Sequence, residues 1–287
     1  MKILAIGDFH GKFPEKLKKE ARKVDLVVSV GDYTGLSDWR PIIMAQIKAA
    51  KTGTKVPSPE EVFGKKKFKG LLQKDFDSGK KILTELNNLG KKVILIFGNS
   101  DDEWYKYPFD TRIDLLKKRS QIVLKKLKNI KIVTYSSTKF KGINFIGFGG
   151  YMDIDAYFDK KIFKSSKAPM RNNRRTRSKQ KFWAVLKKIK GSKIFILHYP
   201  PKGVFDIIHD KKDNPMNGHS AGINFFREGI TKYKPIIALC GHMHEYQGMK
   251  KIGKTTVINP GAALDGKAAV IDINEKKKKI VNITFIK

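Results

Sequence analysis

Four apolar segments of the chain end in glycine, and each glycine is followed at once by a side chain that can bind a metal ion. The four pairs are Gly7-Asp8, Gly31-Asp32, Gly98-Asn99 and Gly241-His242. Short continuous runs of Val, Ile and Leu are typical of strands buried on both faces of a parallel sheet. In open α/β sheets, ligands bind at the carboxyl ends of the strands. The pattern therefore predicts that separate strands deliver Asp, Asn and His side chains to one edge of a sheet.

The order of the remaining elements predicts an α/β sandwich. The predicted strands are Lys2–Ile6, Leu26–Val30, Val93–Phe97, Ile143–Phe148, Ile194–Leu197, Ile236–Cys240, Thr255–Ile258, Ala268–Ile273 and Ile280–Ile286. Helical patterns cover Phe13–Val24, Ser58–Leu89 in pieces, Ile113–Leu127 and Lys179–Lys188. Strands that alternate with helices, and later strands joined by short turns, are typical of such a sandwich.

We expect a single domain of residues 1–287 with insertions at 35–77 and 151–178. A chain of 287 residues is long enough for one large α/β domain. Segment 35–77 contains Pro41, Pro57 and Pro59 and many Lys, which fits the strand–helix rhythm poorly. Segment 151–178 is polar and irregular, and we expect it to form a loop or cap beside the site.

The charge of the chain indicates an anionic partner. Lys and Arg total 60 and Asp and Glu total 27, which gives a formal net charge of +33. Such a field attracts polyanions with a strong dependence on salt. Heat adaptation usually enriches Glu together with Lys, so it does not by itself explain this imbalance. We expect a phosphate-containing small molecule or a nucleic acid as partner, and the sequence leaves the oligomeric state open.

Cysteine usage and hydropathy indicate a cytoplasmic protein without a membrane partner. The one cysteine, Cys240, lies in an apolar run and is expected to be a small buried residue rather than a nucleophile. A single thiol forms no internal disulfide, which suits a reducing compartment. No apolar stretch approaches the roughly 20 residues that span a bilayer, and the apolar start stops at Asp8, too early for a signal peptide.

Spacing within the motifs favours one shared site. Asp8 and His10 lie two residues apart, as do His242 and His244. In an extended segment, residues i and i+2 point the same way, so each pair can offer two ligands to one centre. His198 directly follows a predicted strand. Each residue alone is more often a cap or a turn former. Five such positions, each at a strand end, favour a common role.

The series Asp8-Phe9-His10, Gly31-Asp32, Gly98-Asn99, His198 and Gly241-His242-Met243-His244 resembles the five-motif signature of the calcineurin-like metallophosphoesterases. It spans residues 8–244 in the order of that family, and Asn259-Pro260-Gly261 follows it. The resemblance implies a two-sheet α/β/β/α sandwich. It also implies an enzyme, a binuclear metal-dependent phosphoric ester hydrolase.

By this resemblance, two divalent transition metal ions share the site. The ligands of one ion would be Asp8, His10, Asp32 and His244, and those of the other Asp32, Asn99, His198 and His242. Carboxylate, amide and imidazole together suit transition ions better than Mg²⁺ or Ca²⁺. We expect Mn first, with Fe or Zn as alternatives. Two such ions about 4 Å apart can share a bridging hydroxide that attacks phosphorus, so no protein nucleophile is needed.

The third motif departs from many relatives, in which a His follows the Asn. Here it reads Gly98-Asn99-Ser100-Asp101. A serine hydroxyl is too weak an acid to replace imidazole near pH 7. Relatives without this His tend to be phosphodiesterases or nucleotide-anhydride hydrolases, and we expect that activity.

Asp101 and His219 are the candidate catalytic residues. A similar Gly-His-Ser loop occurs in one branch of the superfamily, so His219 is a candidate acid or substrate contact, although an exposed loop histidine is an equal alternative.

A basic segment precedes His198. Residues 160–205 contain 15 Lys or Arg and no Asp or Glu, and the densest part supplies the candidate substrate-binding residues Arg171, Arg174, Arg175 and Arg177. Arginine binds phosphate in a bidentate manner. The alternative is a solvated helix face, and Phe182 and Leu186 at helical spacing are expected to face the core. With the same metal site, this surface also supports the alternative function of a nuclease acting on DNA or RNA.

Overall fold

The computed structural model describes residues 1–106, 115–152 and 174–287. In these parts of the chain the strands are β1 (Lys2–Ile6), β2 (Leu26–Ser29), β3 (Lys92–Leu95), β4 (Ile130–Ile132), β5 (Ser136–Phe140), β6 (Ile143–Phe148), β7 (Lys193–Leu197), β8 (Ile237–Leu239), β9 (Gly248–Ile252), β10 (Thr255–Asn259), β11 (Ala268–Asn274) and β12 (Lys279–Ile286). The helices are α1 (Glu15–Ala21), α2 (Arg40–Thr52), α3 (Pro59–Phe63), α4 (Lys65–Asn87), α5 (Leu115–Leu124), α6 (Arg174–Lys188) and α7 (Asn224–Tyr233).

The strands form two six-stranded sheets. One has the order β12-β11-β1-β2-β3-β4 and the other β5-β6-β7-β8-β10-β9. Strands β1 to β4 are parallel to one another, and so are β6, β7, β8 and β10. Antiparallel strands complete both sheets. Because the parallel strands of a sheet all end on the same side, the loops that follow them gather at one edge.

The two sheets pack face to face, and helices cover their outer faces. Alternate residues of β1 and β7, such as Ile3 and Ile194, belong to the core between the sheets. Leu4 instead packs with residues of α1 and α4, and Phe195 packs with residues of α6 and α7. Strands that are buried on both faces therefore produce four layers. The predicted α/β/β/α sandwich is confirmed.

Several elements do not follow from the apolar pattern. Strands β5 and β9 lie at sheet edges, and their sequences contain Lys and polar residues rather than an apolar run. Charged edge strands are common because they prevent pairing with other chains. Helix α2 was not predicted because its sequence contains Pro41. This proline lies in the first turn, where proline is compatible with a helix.

The segment 151–178 is partly helical. Helix α6 begins at Arg174, five residues before the predicted start at Lys179, so the loop expected for 174–178 is wrong. Phe182 and Leu186 are fully buried, as the helical spacing predicts. Residues 153–173 lie outside the described residues, so the cap remains a prediction, as does the division into one domain with two insertions. Within the described ranges, no helix has the length and hydropathy needed to cross a bilayer.

Candidate metal centre

The seven predicted ligands lie together where loops leave the carboxyl ends of five parallel strands. Asp8 and His10 follow β1, Asp32 follows β2, Asn99 follows β3, His198 follows β7, and His242 and His244 follow β8. The side chains of Asp8, Asp32 and His198 are at most 2% exposed. His10 is 16% and His244 38% exposed, so the site opens on their side.

The carboxylate and imidazole atoms form two groups, each within 4.8 Å. The first group is Asp8, His10, Asp32 and His244, and the second is Asp32, His198 and His242. Asp32 belongs to both, because its Oδ2 lies 3.7 Å from His10 Nε2 and 3.5 Å from His198 Nε2. Its Oδ1 accepts a hydrogen bond of 3.0 Å from the main-chain N–H of Ser100. That bond leaves Oδ2 in the space that the two groups share.

Asn99 joins the second group through its amide oxygen. Its Oδ1 lies 2.7 Å from His198 Nε2 and 2.7 Å from His242 Nδ1. The first group therefore holds two carboxylates and two imidazoles, and the second one carboxylate, one amide and two imidazoles. The resemblance to the calcineurin-like metallophosphoesterases implies these same two sets.

Main-chain carbonyls determine which ring nitrogen carries the proton in two histidines. His198 Nδ1 lies 2.9 Å from the Val30 carbonyl oxygen, and His10 Nδ1 lies 2.8 Å from that of Thr34. A carbonyl oxygen only accepts, so each Nδ1–H donates and the lone pair of the neutral ring sits on Nε2.

The atoms on the inner side of these rings are mostly acceptors. His198 Nε2 faces the oxygen of Asn99 at 2.7 Å, and His10 Nε2 lies 3.0 Å from His244 Nε2. The lone pairs of His198 Nε2 and of the Asn99 oxygen repel each other at this distance, and a cation bound by both atoms would turn this repulsion into ligation. Oxygen and imidazole nitrogen are the ligands that Mn, Fe and Zn accept. The residues therefore fit two transition metal ions.

The electrostatics of the site favour neutral imidazoles and one strongly ionised carboxylate. Burial lowers the pKa of His10 and His244, and it lowers that of His242 to about 3. Burial raises the pKa of Asp8 to about 6. Burial also acts to raise the pKa of Asp32, but attraction to His198 and His10 in their protonated forms, together with the Ser100 N–H, outweighs it, and this pKa falls to about 2. The carboxylate common to both groups is thus the one that keeps its charge.

Four of the seven ligands have left-handed backbone conformations. The φ angles are 54° at Asp8, 42° at His10, 57° at Asp32 and 68° at His242. Residues other than glycine rarely adopt such angles, each costs of order 1–3 kcal/mol, and they cluster at functional sites. Strain at four positions of one small site indicates that these side chains are held for a function.

The profile of the metallophosphoesterase family, calcineurin superfamily, matches residues 1–283. The chain belongs to this family. It is a metal-dependent phosphoester hydrolase, and the resemblance carried by the sequence motifs is confirmed.

Three relatives illustrate how far the similarity extends. An uncharacterised protein of Methanocaldococcus jannaschii is 24% identical over 268 residues, which cover 91% of this chain and 88% of that protein. The crystal structure of a dimetal phosphatase from Danio rerio has a TM-score of 0.54 at 10% identity, covering 100% of this chain and 98% of that chain. The crystal structure of TT1561 from Thermus thermophilus has a TM-score of 0.53 at 14% identity, covering 100% and 99%. At these identities the two crystal structures share the fold with this metallophosphoesterase.

Asp101 of the third metallophosphoesterase motif holds the loops that carry the ligands. Its Oδ2 accepts the main-chain N–H groups of Asp32 and Gly98, both at 2.8 Å. Its Oδ1 accepts those of Tyr33 and Thr34 at 2.8 and 3.2 Å. Burial and the charge of Asp32 raise the pKa of this carboxyl, while the four N–H groups stabilise its charged form. Both oxygens are occupied by main-chain donors, which are the contacts of a positioning residue, and the catalytic role expected from the sequence stays a prediction.

Gly98 has no room for a side chain. A Cβ there would overlap Asp32 Oδ1 and lie 2.7 Å from His198 Cε1. Glycine at this point lets the loops after β2, β3 and β7 approach one another. The close approach brings the two sheets' ligands to one centre.

The remaining predicted residues of this metallophosphoesterase differ in how they relate to the ligands. The Ser100 hydroxyl donates a 3.1 Å hydrogen bond to the Thr34 carbonyl, which also accepts from His10. His219 is half-buried in the loop after β7 and belongs to neither group of ligands. Arg174 and Arg175 begin α6, Arg177 is half-buried in its first turn, and Arg171 lies outside the described residues.

The main-chain carbonyls of Val30 and Thr34, which accept from His198 and His10, could not be identified from residue types, because every residue has a carbonyl.

Proposed function

We propose that the chain is a binuclear metallophosphoesterase that acts as a phosphodiesterase or nucleotide-anhydride hydrolase. The observation that carries the proposal is the position of Asp32 Oδ2, within 3.7 Å of an imidazole nitrogen from each group of ligands. The ligand set suits two divalent transition ions, Mn first and Fe or Zn as alternatives. When bound, such a pair acts as a Lewis acid on phosphoryl oxygens and activates water for in-line attack.

The residues of the chain hold and orient this pair. Asp8 and Asp32 supply negative charge in a buried setting, and the Val30 and Thr34 carbonyls keep the Nε2 lone pairs of His198 and His10 directed inward. Partners behind the ligands commonly contribute 10- to 100-fold in metal affinity. The thiol of Cys240 is fully buried and burial raises its pKa, so it is not a nucleophile.

The preference for a diester or an anhydride rests on Ser100. Its hydroxyl is bonded to a main-chain carbonyl, and it cannot protonate a leaving alkoxide near pH 7. Substrates whose leaving group is stable as an anion need no such acid. Nucleotide anhydrides and activated diesters have leaving groups of this kind.

An activity panel tests this proposal. The Mn-loaded protein is assayed with glycerol phosphate as an alkyl monoester, bis(p-nitrophenyl) phosphate, a cyclic nucleotide, a dinucleotide anhydride and single-stranded nucleic acid. We expect kcat/KM for the best diester or anhydride to exceed that for the monoester by about 10-fold or more. Ser100→His is expected to raise the monoester rate, because it restores an imidazole acid that contributes about 10²-fold or more. A monoester preference in the wild type would contradict the proposal.

We further propose that His219 protonates poor leaving groups or contacts the substrate. We expect His219→Ala to lower kcat for an alkyl phosphodiester by about 10²-fold, with less than a twofold change for the p-nitrophenyl diester, whose leaving group needs no proton. His209→Ala is the matched control, because His209 lies in the same loop and is exposed. Equal rates and pH profiles for His219→Ala and the wild type would show that His219 has no role in catalysis or substrate binding.

A nuclease is the second candidate function, and one observation favours it. The first turn of α6 lies near the ligand edge, because Ser178 Oγ is 2.6 Å from the hydroxyl of Tyr135, whose N–H bonds Gly147 near the end of β6. Arg174, Arg175 and Arg177 lie in this turn. If a polymer is the substrate, kcat/KM on single-stranded nucleic acid should exceed that on small diesters and fall steeply with salt. Arg174→Ala/Arg175→Ala should then reduce the salt slope.

A further inference from the structure

Two segments lead away from the open side of the metal centre. The first, the inserted arm (residues 35–64), starts at Gly35, whose carbonyl oxygen lies 2.9 Å from His10 Nδ1. The second, the outer loop (residues 206–220), is tied to the residues after His244. In it, the N–H of His209 donates to Glu245 Oε1 at 2.9 Å, and the Tyr246 hydroxyl donates to the Ile207 carbonyl at 2.9 Å. His10 and His244 are two of the partly exposed candidate ligands, so both segments border the mouth of the site on their side.

The inserted arm and the outer loop meet each other beside this mouth. Ile47 of α2 and Met216 of the loop form a small buried apolar cluster. Lys51 Nζ donates to the Pro215 carbonyl at 2.9 Å. Arg40 donates to Asp210 at 2.9 Å and to Asp213 at 2.6 Å. The mouth is therefore bordered by a closed ring of chain, and Arg40 joins its two halves.

The ion pairs of Arg40 are too exposed to be needed for stability alone. Arg40 is 28% exposed, Asp210 33% and Asp213 61%, and pairs of this kind contribute about 0–1 kcal/mol. The apolar contact between Ile47 and Met216 holds the two segments together without them. Their electrostatic consequence is larger, because the guanidinium adds one full positive charge beside the two carboxylates.

These two carboxylates lie close to the mouth. Asp210 follows His209, whose N–H bonds the side chain of Glu245, the neighbour of His244. Loss of Arg40 would remove one positive charge beside Asp210 and Asp213 and so weaken the attraction of an anion to this side of the metal centre. The residues between them, Lys211 and Lys212, are exposed and balance the two carboxylates, so Arg40 supplies the excess positive charge of this group.

We propose that Arg40 is a specificity-determining residue that adds positive charge beside Asp210 and Asp213 and so favours entry of an anionic phosphoester into the mouth. The proposal rests on the proposed function and deepens it by assigning the ring a preference for anionic substrates. Arg40 touches no ligand of the metal centre, and it acts on substrate binding rather than on the chemical step.

The test compares KM and kcat for bis(p-nitrophenyl) phosphate in four variants of the Mn-loaded protein. At low ionic strength we expect Arg40→Ala to raise KM about fivefold with kcat within twofold, and this effect should vanish near 1 M salt, where the Debye length is about 3 Å. Arg40→Lys keeps the charge and should stay near the wild type. Arg40→Ala/Asp210→Asn/Asp213→Asn should restore KM. Arg22→Ala, which removes an exposed cation at the end of α1 paired with Glu15, is the control and should change nothing.

Two outcomes would overturn the proposal. One is an unchanged KM in Arg40→Ala at low ionic strength. The other is a loss that salt does not reduce and that the two Asn substitutions do not restore, which would make Arg40 a structural clamp. Binding of inorganic phosphate, titrated calorimetrically in the same variants, needs no turnover. A wild type that hydrolyses no phosphodiester but binds phosphate in an Arg40-dependent way would refute the proposed function and keep the role of Arg40.

Discussion

Asp32→Ala is expected to lower kcat/KM by at least about 10³-fold, equivalent to about 4 kcal/mol of transition-state stabilisation, and to abolish binding of two metal ions per chain. The reason is the shared position of this carboxylate. Its Oδ2 lies 3.7 Å from His10 Nε2 and 3.5 Å from His198 Nε2. Its removal would take a ligand from both ions at once and would leave their mutual repulsion without a compensating negative charge.

The measurement is metal content by inductively coupled plasma mass spectrometry, together with diesterase activity after dialysis against Mn. Asp77→Asn is the matched control, because it removes an exposed carboxylate of α4 that bonds only Gln73 in the described structure. We expect this control to keep two ions and full activity. Two ions per chain in Asp32→Ala, or activity within tenfold of the wild type, would disprove the assignment of Asp32 as the shared ligand.

Asp101→Asn is expected to lower the free energy of unfolding by about 3 kcal/mol and to weaken metal binding by about 10- to 100-fold. Each carboxylate oxygen of Asp101 accepts two main-chain N–H groups. In either orientation, an amide places its NH₂ group against two buried donors. The loops that carry Asp32 and Asn99 then lose their common anchor.

Urea denaturation of the metal-free protein measures the stability, and Mn titration of the folded variant measures the affinity. Asp102→Asn is the control, because Asp102 is the adjacent acid, is 39% exposed and lies 4.0 Å from Lys117. We expect its effect on stability to stay below about 1 kcal/mol. If Asp101→Asn unfolds at the same urea concentration as the wild type, the positioning role of Asp101 is contradicted. A stable variant with normal metal affinity but no activity would instead support the catalytic role first expected for this residue.

The clustering of the candidate ligands could be predicted from sequence because its information is local. Asp, Asn and His are chemically distinctive, and each follows an apolar run whose end fixes its place at the sheet edge. Strands such as β1 and β7 are apolar on both faces, which predicts the double-sided burial that a sandwich needs. The edge strands β5 and β9 lack this signal because their exposed positions carry Lys or polar residues.

Contacts that join distant parts of the chain could not be predicted. Asp101 bonds the main chain of Asp32 from 69 residues away, and Arg40 bonds Asp210 from 170 residues away. Every residue except proline has a main-chain N–H group, so the sequence does not show which of them a carboxylate binds. It also does not show which of the many carboxylates pairs with a given surface Arg. The role of Asp101 and the ring around the mouth therefore required the fold.

The left-handed backbone at Asp8, His10, Asp32 and His242 limits how this centre can be changed. Asp, Asn and His tolerate such torsions better than other side chains, whereas Val, Ile and Thr do not. Random mutation at these codons would therefore mostly yield chains that misfold locally before their affinity for an ion is tested at all. Substitutions that change the metal preference of this site are therefore better tolerated at His198, His244 and Asn99, where the backbone torsions are ordinary. They are also better tolerated at residues that form hydrogen bonds to the candidate ligands.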